Sequence, residues 1–278
     1  RDRAYTYFHV GMLGSEGEDA FDKAIDLATR ALELDNTMAH AHLTLGVVSI
    51  VRGKPKQALA ALKFANHFEP QDWETHQWLA YLYAGVGLHS KALTHARALV
   101  TIDPNEPMSQ IWLLWILVYD GQIQEARSLL ERSEFDLSIP HRRFGLALMQ
   151  AWLGKRDLAL EILAPVQAPK AYDYMTQMIL VFRDALRGDK EAMKRDLSPD
   201  LIKSVRADAW GACTVAECFS MLGDSESALQ WLERAANWGW FNYTLYAKTD
   251  PFFEPLREDS RFKAFLVRVK DQWEHFKT

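Results

Sequence analysis

Glycine recurs along this chain at a nearly fixed interval: Gly53, Gly87, Gly121, Gly154, Gly188 and Gly223, in steps of 34, 34, 33, 34 and 35 residues. Five residues after nearly every one stands an alanine, at Ala58, Ala92, Ala126, Ala159 and Ala228, with Met193 the one replacement. A period this regular marks one supersecondary unit copied in tandem, which excludes a single centralised core. Stacked repeats build long concave surfaces, so binding is the default expectation and chemistry needs specific groups to support it.

The unit is a pair of helices. Each glycine lies between two helix-period apolar runs, where a residue tolerant of positive φ ends the first helix. Around Gly87 the first run is Trp78, Leu79, Ala80, Tyr81, Leu82 and Tyr83, and the second is Ala92, Ala96 and Leu99. Second runs keep a stripe with steps of four and three, as in Ala58, Leu62, Ala65 and in Ala228, Leu232, Ala235. That spacing places them on one helical face, where a small alanine lets two antiparallel helices approach closely. Pro70 and Pro104 close their repeats and stop the second helix. No alternating strand pattern occurs, so the chain reads as all-α.

These residues resemble the tetratricopeptide repeat (TPR) family. Leu45-Gly46, Gly53, Ala58, Ala65 and Pro70 match its spacing, as do Leu79-Ala80, Tyr83, Gly87, Ala92 and Pro104. After Gly121 the closing proline is lost or displaced to Pro140, and the repeat around Gly188 is poor. Ala24, Ala28 and Ala31 suggest the second helix of an N-terminal repeat, entered through a longer turn over Gly14-Ser15-Glu16-Gly17-Glu18. The resemblance implies a right-handed superhelix, an α-solenoid of about seven helix-turn-helix repeats over residues 1–240, with a capping segment and helix over 241–278.

Composition narrows the function classes. A net charge of −5 gives no basic face of the kind nucleic acids require. No run of about 18 apolar residues occurs, so direct membrane insertion is not expected. Cys213 and Cys218 are five apart on one helix and point in different directions, which argues against a disulfide framework. A cytoplasmic setting is expected, or an extracytoplasmic one if the array is attached to a membrane-spanning sensor. The chain begins Arg1-Asp2-Arg3, as expected of a piece of a longer protein or a processed product.

The tail carries its own signals. Asp250-Pro251 and Glu254-Pro255 are turn and helix-start pairs, and Asp259 or Ser260 would cap a last helix. That helix places Phe262, Phe265, Leu266, Val269, Trp273 and Phe276 on one face, the cap a terminal repeat needs. The ending, with Asp250-Pro251, Pro255-Leu256-Arg257, Arg261-Phe262 and Trp273-Glu274-His275-Phe276, resembles the C-terminal end of TPR sensor regions in modular bacterial signalling proteins. The resemblance implies attachment to a serine/threonine kinase, nucleotide cyclase or winged-helix output domain, none of whose motifs is present.

By the same resemblance, one side of each first helix lines the concave groove. In the middle repeats that side carries Met108, Ile111, Trp115 and Tyr119, then Phe144, Leu148 and Trp152, then Met175, Met178 and Phe182. Toward the N-terminus it turns polar, with His40, Glu74, Gln77 and Tyr81. Such a wall suits an amphipathic helix, an extended peptide or a lipid-like ligand. Equally, a tight superhelix, its own tail or a second copy could fill it, because a large exposed apolar patch is a liability.

Nothing in the sequence points to chemistry. His42 and His76 are 34 apart and so occupy equivalent repeat positions, which reads as packing. No HExxH or CxxC spacing supports a metal site, and no cofactor is expected. There is no GxSxG or P-loop, and Gly85-Val86-Gly87 lacks the third glycine of a dinucleotide loop. Asn242-Tyr243-Thr244 is a formal glycosylation sequon, read as chance. Lys190, Lys194, Arg195, Lys203 and Arg206 are interrupted by Glu191, Asp196 and Asp200, as on a solvated face. The expectation is therefore a non-catalytic protein- or peptide-binding domain, the sensory region of a larger bacterial signalling protein. The alternative is a free-standing adaptor or self-associating scaffold.

Overall fold

The computed structural model describes residues 17–132, 136–169 and 172–276. After α1 (Gly17–Leu34) come helical hairpins: α2 (Ala39–Val51) with α3 (Pro55–Phe68), α4 (Trp73–Gly85) with α5 (His89–Ile102), and α6 (Pro107–Tyr119) with α7 (Ile123–Arg132). They continue as α8 (Pro140–Trp152) with α9 (Arg156–Leu163), α10 (Tyr174–Arg187) with α11 (Lys190–Asp196), and α13 (Ala209–Met221) with α14 (Ser225–Asn237). A short α12 (Pro199–Val205) stands before the last pair. A π-turn (Leu245–Thr249), a 3-10 turn (Pro251–Leu256) and α15 (Ser260–Glu274) complete the chain. The architecture is an all-α array of stacked helical hairpins, the tandem unit that the 34-residue period implied.

Each hairpin turns in the same way. The six periodic glycines all have φ between +65° and +81°. The residue after each returns a backbone N–H to a carbonyl five residues earlier, as in Lys54 to Ser49, Leu88 to Tyr83 and Gln122 to Leu117, each at 2.8 Å. That bond closes the first helix and fixes the direction in which the second departs. Ala58, Ala92, Ala126, Ala159 and Ala228 are all fully buried where the paired helices approach, and Met193 is buried in the equivalent place. At Gly46 the approach is closer still, since a Cβ would lie 2.7 Å from the Leu62 side chain.

Some sequence expectations need correcting. Pro140 does not close a repeat; it is the first residue of α8, where its missing N–H costs nothing. Gly17 and Glu18, expected in a turn, already belong to α1, and the rest of that turn lies outside the described residues. The poor repeat around Gly188 has its second helix broken at Leu197-Ser198-Pro199: Pro199 cannot continue α11, and Ser198 instead caps α12 by accepting from the Leu201 N–H at 3.2 Å.

His42 and His76 perform one job in successive repeats. Their Nε2 atoms meet the Asn36 and Pro70 carbonyls, each six residues upstream, at 2.9 and 3.1 Å. His76 also meets His95 Nδ1 to Nδ1 at 2.9 Å, and the His95 ring stacks on Tyr83. Burial, with the neighbouring imidazole second, pushes His95 down to about 4.

Two outcomes test this description. Gly121 has no atom within 4 Å of an added Cβ, so Gly121→Ala should cost only the backbone strain, about 1–2 kcal/mol by chemical denaturation. His95 is held neutral, so the unfolded chain binds the extra proton and stability should fall as the pH drops from about 6.5 toward 4. Thermal melts of His95→Leu across that range should show a shallower slope than the native chain.

Candidate functional site

The residues expected to line the groove do converge, but on the chain itself. Ile111, Trp115, Tyr119, Phe144, Leu148, Trp152, Met175, Met178 and Phe182 are all buried, and Met108 is half-buried. What covers them comes from the C-terminal third. Trp210, at the start of α13, stacks on Trp115 with ring centres 5.3 Å apart and meets Phe144 edge-on at 5.7 Å. Phe252, in the 3-10 turn, stands edge-on to Phe182 at 5.9 Å and to Trp152 at 6.4 Å. Trp240 lies 5.1 Å from Tyr81. Tyr81, Trp112, Trp115, Trp210, Phe144, Phe182, Phe252, Trp152 and Tyr119 thus form one continuous series of ring contacts. Burying rings of this size removes a large apolar area from water and favours edge-to-face pairs.

Polar contacts fix the tail at its tip. The indole N–H of Trp238 donates to the Val51 carbonyl at 2.8 Å, and that of Trp273 donates to the Gly87 carbonyl at 3.2 Å. Asn242 Nδ2 donates to the Ala84 carbonyl at 2.8 Å and meets His89 Nε2 at 2.7 Å, while its Oδ1 accepts from the Leu245 N–H at 3.0 Å. The acceptors of Trp238 and Asn242 are carbonyls in the last turns of α2 and α4, where helix ends leave acceptor capacity; that of Ala84 also takes the Gly87 N–H at 3.0 Å. Asn242 is fully buried with both ends of its amide engaged, so the sequon offers no acceptor in the folded chain.

The polar end of the expected wall is joined in part. The Tyr81 hydroxyl donates to Asp208 Oδ1 at 3.3 Å and that of Tyr174 to Asp208 Oδ2 at 2.5 Å, so α4, α10 and the start of α13 meet at one half-buried carboxylate. Asp208 also caps α13 through the Trp210 N–H at 3.1 Å. Burial pushes the Asp208 carboxyl up, while the tyrosine and backbone donors pull it back. Glu74 is raised to about 7 by loss of water. His40 and Gln77 stay half-buried beside it in the array.

Space left inside is small. The gap bounded by Ile50, Pro55, Tyr81, Leu82, Gly85, Ala209, Trp238, Gly239 and Trp240 amounts to about 10 Å³, room for one water at most. A separate cavity of about 170 Å³ lies by Ser138, Pro140, Arg143, Pro165, Val166, Thr176 and Ile179. On the outside, Phe64 is exposed and stacks with His42 at 5.1 Å. Among the described residues no three His, Cys, Asp or Glu side chains are grouped to hold a metal ion. Cys213 and Cys218 are free, buried thiols of α13.

Sequence reasoning missed Gly85. It is the last residue of α4 and lacks the positive φ of Gly87, and a Cβ there would come within 2.5 Å of the Trp240 ring. A helical glycine was the available signal, since it marks a close approach by another part of the chain.

No family model matches the chain. A stretch of 83 residues is 30% identical to mitochondrial import receptor subunit TOM70 of Rattus norvegicus, covering 30% of this chain and 13% of that protein. Another, of 84 residues, is 33% identical to BBSome complex member BBS4 of Bos taurus, over 30% of this chain and 16% of that one. Both relatives are therefore far longer than the part they share. Among solved structures, a tetratricopeptide repeat protein from Parabacteroides merdae aligns over 97% of this chain and 96% of its own, with 15% identity and a TM-score of 0.49.

Alanine is the better helix former by about 1 kcal/mol, so Gly85→Ala should stabilise α4 if nothing faced it. With Trp240 in the way, the substitution should instead cost about 1–3 kcal/mol and shift the tryptophan fluorescence. A stabilised Gly85→Ala chain would remove the tail from the groove.

Proposed function

We propose that this chain is a non-catalytic protein- or peptide-binding tetratricopeptide domain and the regulatory region of a larger bacterial signalling protein. The observation that carries the reading is the occupant of the groove. Residues 238–246 lie in it as a bound peptide would: rings fill apolar gaps, and indole and amide donors cap carbonyls at helix ends. That is peptide recognition performed within one chain. A partner segment reaches the wall at Tyr81, Trp152 and Phe182 by displacing the tail, whose Trp240 and Phe252 rings lie there. Its preference for the open form is what an attached output domain would sense. The short likenesses to an import receptor subunit and to a member of a protein complex fit a protein-binding role, and the tail's resemblance to sensor regions supports the signalling context.

The filled groove also favours a second reading, a self-associating scaffold. A chain that satisfies its own groove leaves the outer faces, with Leu34 and Phe64 exposed, to make contacts.

A synthetic peptide of residues 236–246 separates the two. It should bind a Trp240→Ala chain, whose groove is partly vacated, and leave the native chain unbound. A folded Trp240→Ala chain that takes no peptide would end the groove reading. A closed oligomer of the native chain by native mass spectrometry would favour the scaffold.

A further inference from the structure

Asp184 is buried but paired with Arg183 and Arg187, and half-buried Asp208 is answered by two tyrosines. Glu217 and Asp250 are not so answered. Glu217, on α13, has only the weak Cys213 thiol 3.8 Å from Oε1, and Asp250 accepts the Phe252 N–H at Oδ1 at 2.8 Å. Glu217 Oε2 and Asp250 Oδ2 are each buried without a donor, although the two carboxyls lie within hydrogen-bonding reach of one another. Two carboxylates are acceptors only and repel; one proton between them supplies a donor and removes a charge.

The surroundings offer no other remedy. Tyr119 of α6, Tyr246 of the π-turn, and Cys213 and Cys218 of α13 are the titratable groups facing the pair. The Tyr246 hydroxyl is directed to the Trp240 carbonyl. Arg257 is the cation that acts on Asp250, but its guanidinium bonds the main-chain carbonyls of Asp250 and Lys248 and pairs with Glu254. Burial raises both carboxyls, Asp250 to about 7 and Glu217 well above the usual carboxylate range, with the Asp250 charge adding to the second.

Position gives the pair a consequence. Asp250 caps the 3-10 turn directly after the segment that fills the groove, and Ser220 of α13 holds the same turn through the Phe252 carbonyl at 2.7 Å. We propose that Glu217 and Asp250 share a single proton and form a pH-sensitive latch. While they hold it, the tail is fixed against α13 and the groove stays closed; when it is lost, two adjacent buried charges drive the tail out. The latch stands whatever partner the groove admits. The sign follows from a closed state that binds the proton more tightly than the open, solvated one. Closure is fully favoured below the ordinary carboxylate range near about pH 4; it weakens as the pH rises through about 7, where Asp250 ionises, and further above that, where Glu217 gives up the shared proton.

Hydrogen exchange of peptides from residues 238–250, corrected for intrinsic exchange rates, reads the opening constant directly. In the native chain it should rise at least about tenfold per pH unit from about pH 5 upward. In Glu217→Gln the amide donates to the Asp250 carboxylate at every pH, so the dependence should flatten. Parallel profiles in the two chains would overturn the latch. Should Glu217→Gln fail to fold, infrared spectroscopy of a Glu74→Gln chain provides the second test, since Glu74 is also raised to about 7. A protonated-carboxyl band at pH 6 that Asp250→Asn alters is expected; its absence overturns the shared proton.

Discussion

Each first helix of this array carries an apolar side that stacking alone leaves uncovered, and that uncovered side organises the molecule. A solenoid contacts only its neighbours, so its inner wall has either a ligand or water against it. Here the wall holds Trp115, Phe144, Trp152 and Phe182, which water would not tolerate as a continuous strip. The chain resolves this by curling until Trp210 of the last hairpin stacks on Trp115, and by laying its tail across what remains. Both ways of filling the groove from within operate together.

Covering an inner wall with peptide brings polar backbone into an apolar place, and the structure meets that cost locally. Trp238 and Asn242 present donors to carbonyls in the last turns of α2 and α4, and Trp273 presents one to the turn carbonyl of Gly87. Asp208 collects two tyrosines from helices far apart in sequence. Removing one partner of such a buried set leaves the other unsatisfied, typically at 1–3 kcal/mol, so these few contacts set the register of the whole tail.

The repeat was legible because its causes are local: a glycine at positive φ, an alanine at a helix crossing and a stripe of fixed period each leave a mark within one 34-residue unit. The capping helix was legible for the same reason, with Asp259 accepting the Arg261 N–H at 2.8 Å and Phe262, Phe265 and Val269 buried. The residues that the family resemblance placed on the inner wall, Trp115, Phe144, Trp152 and Phe182 among them, are buried. What covers them could not be read, because the contacts join residues of different repeats, as Trp115 with Trp210 and Tyr81 with Trp240, and no period records them. Gly85 and Asn242 were visible as oddities, a glycine within a helix and a sequon in a tail, but their meaning lay in the partner each meets.

That long reach has a consequence for how the chain is made. Repeats that touch only their neighbours can form one after another as they leave the ribosome. Trp238 binds the Val51 carbonyl across 187 residues and Trp273 binds that of Gly87 across 186. The early hairpins must therefore wait for their partners until the segment from Trp238 to Trp273 has been synthesised. Closure then turns a row of weakly linked units into one cooperative body, bought with slow, non-local assembly and a period in which a chaperone has something to hold.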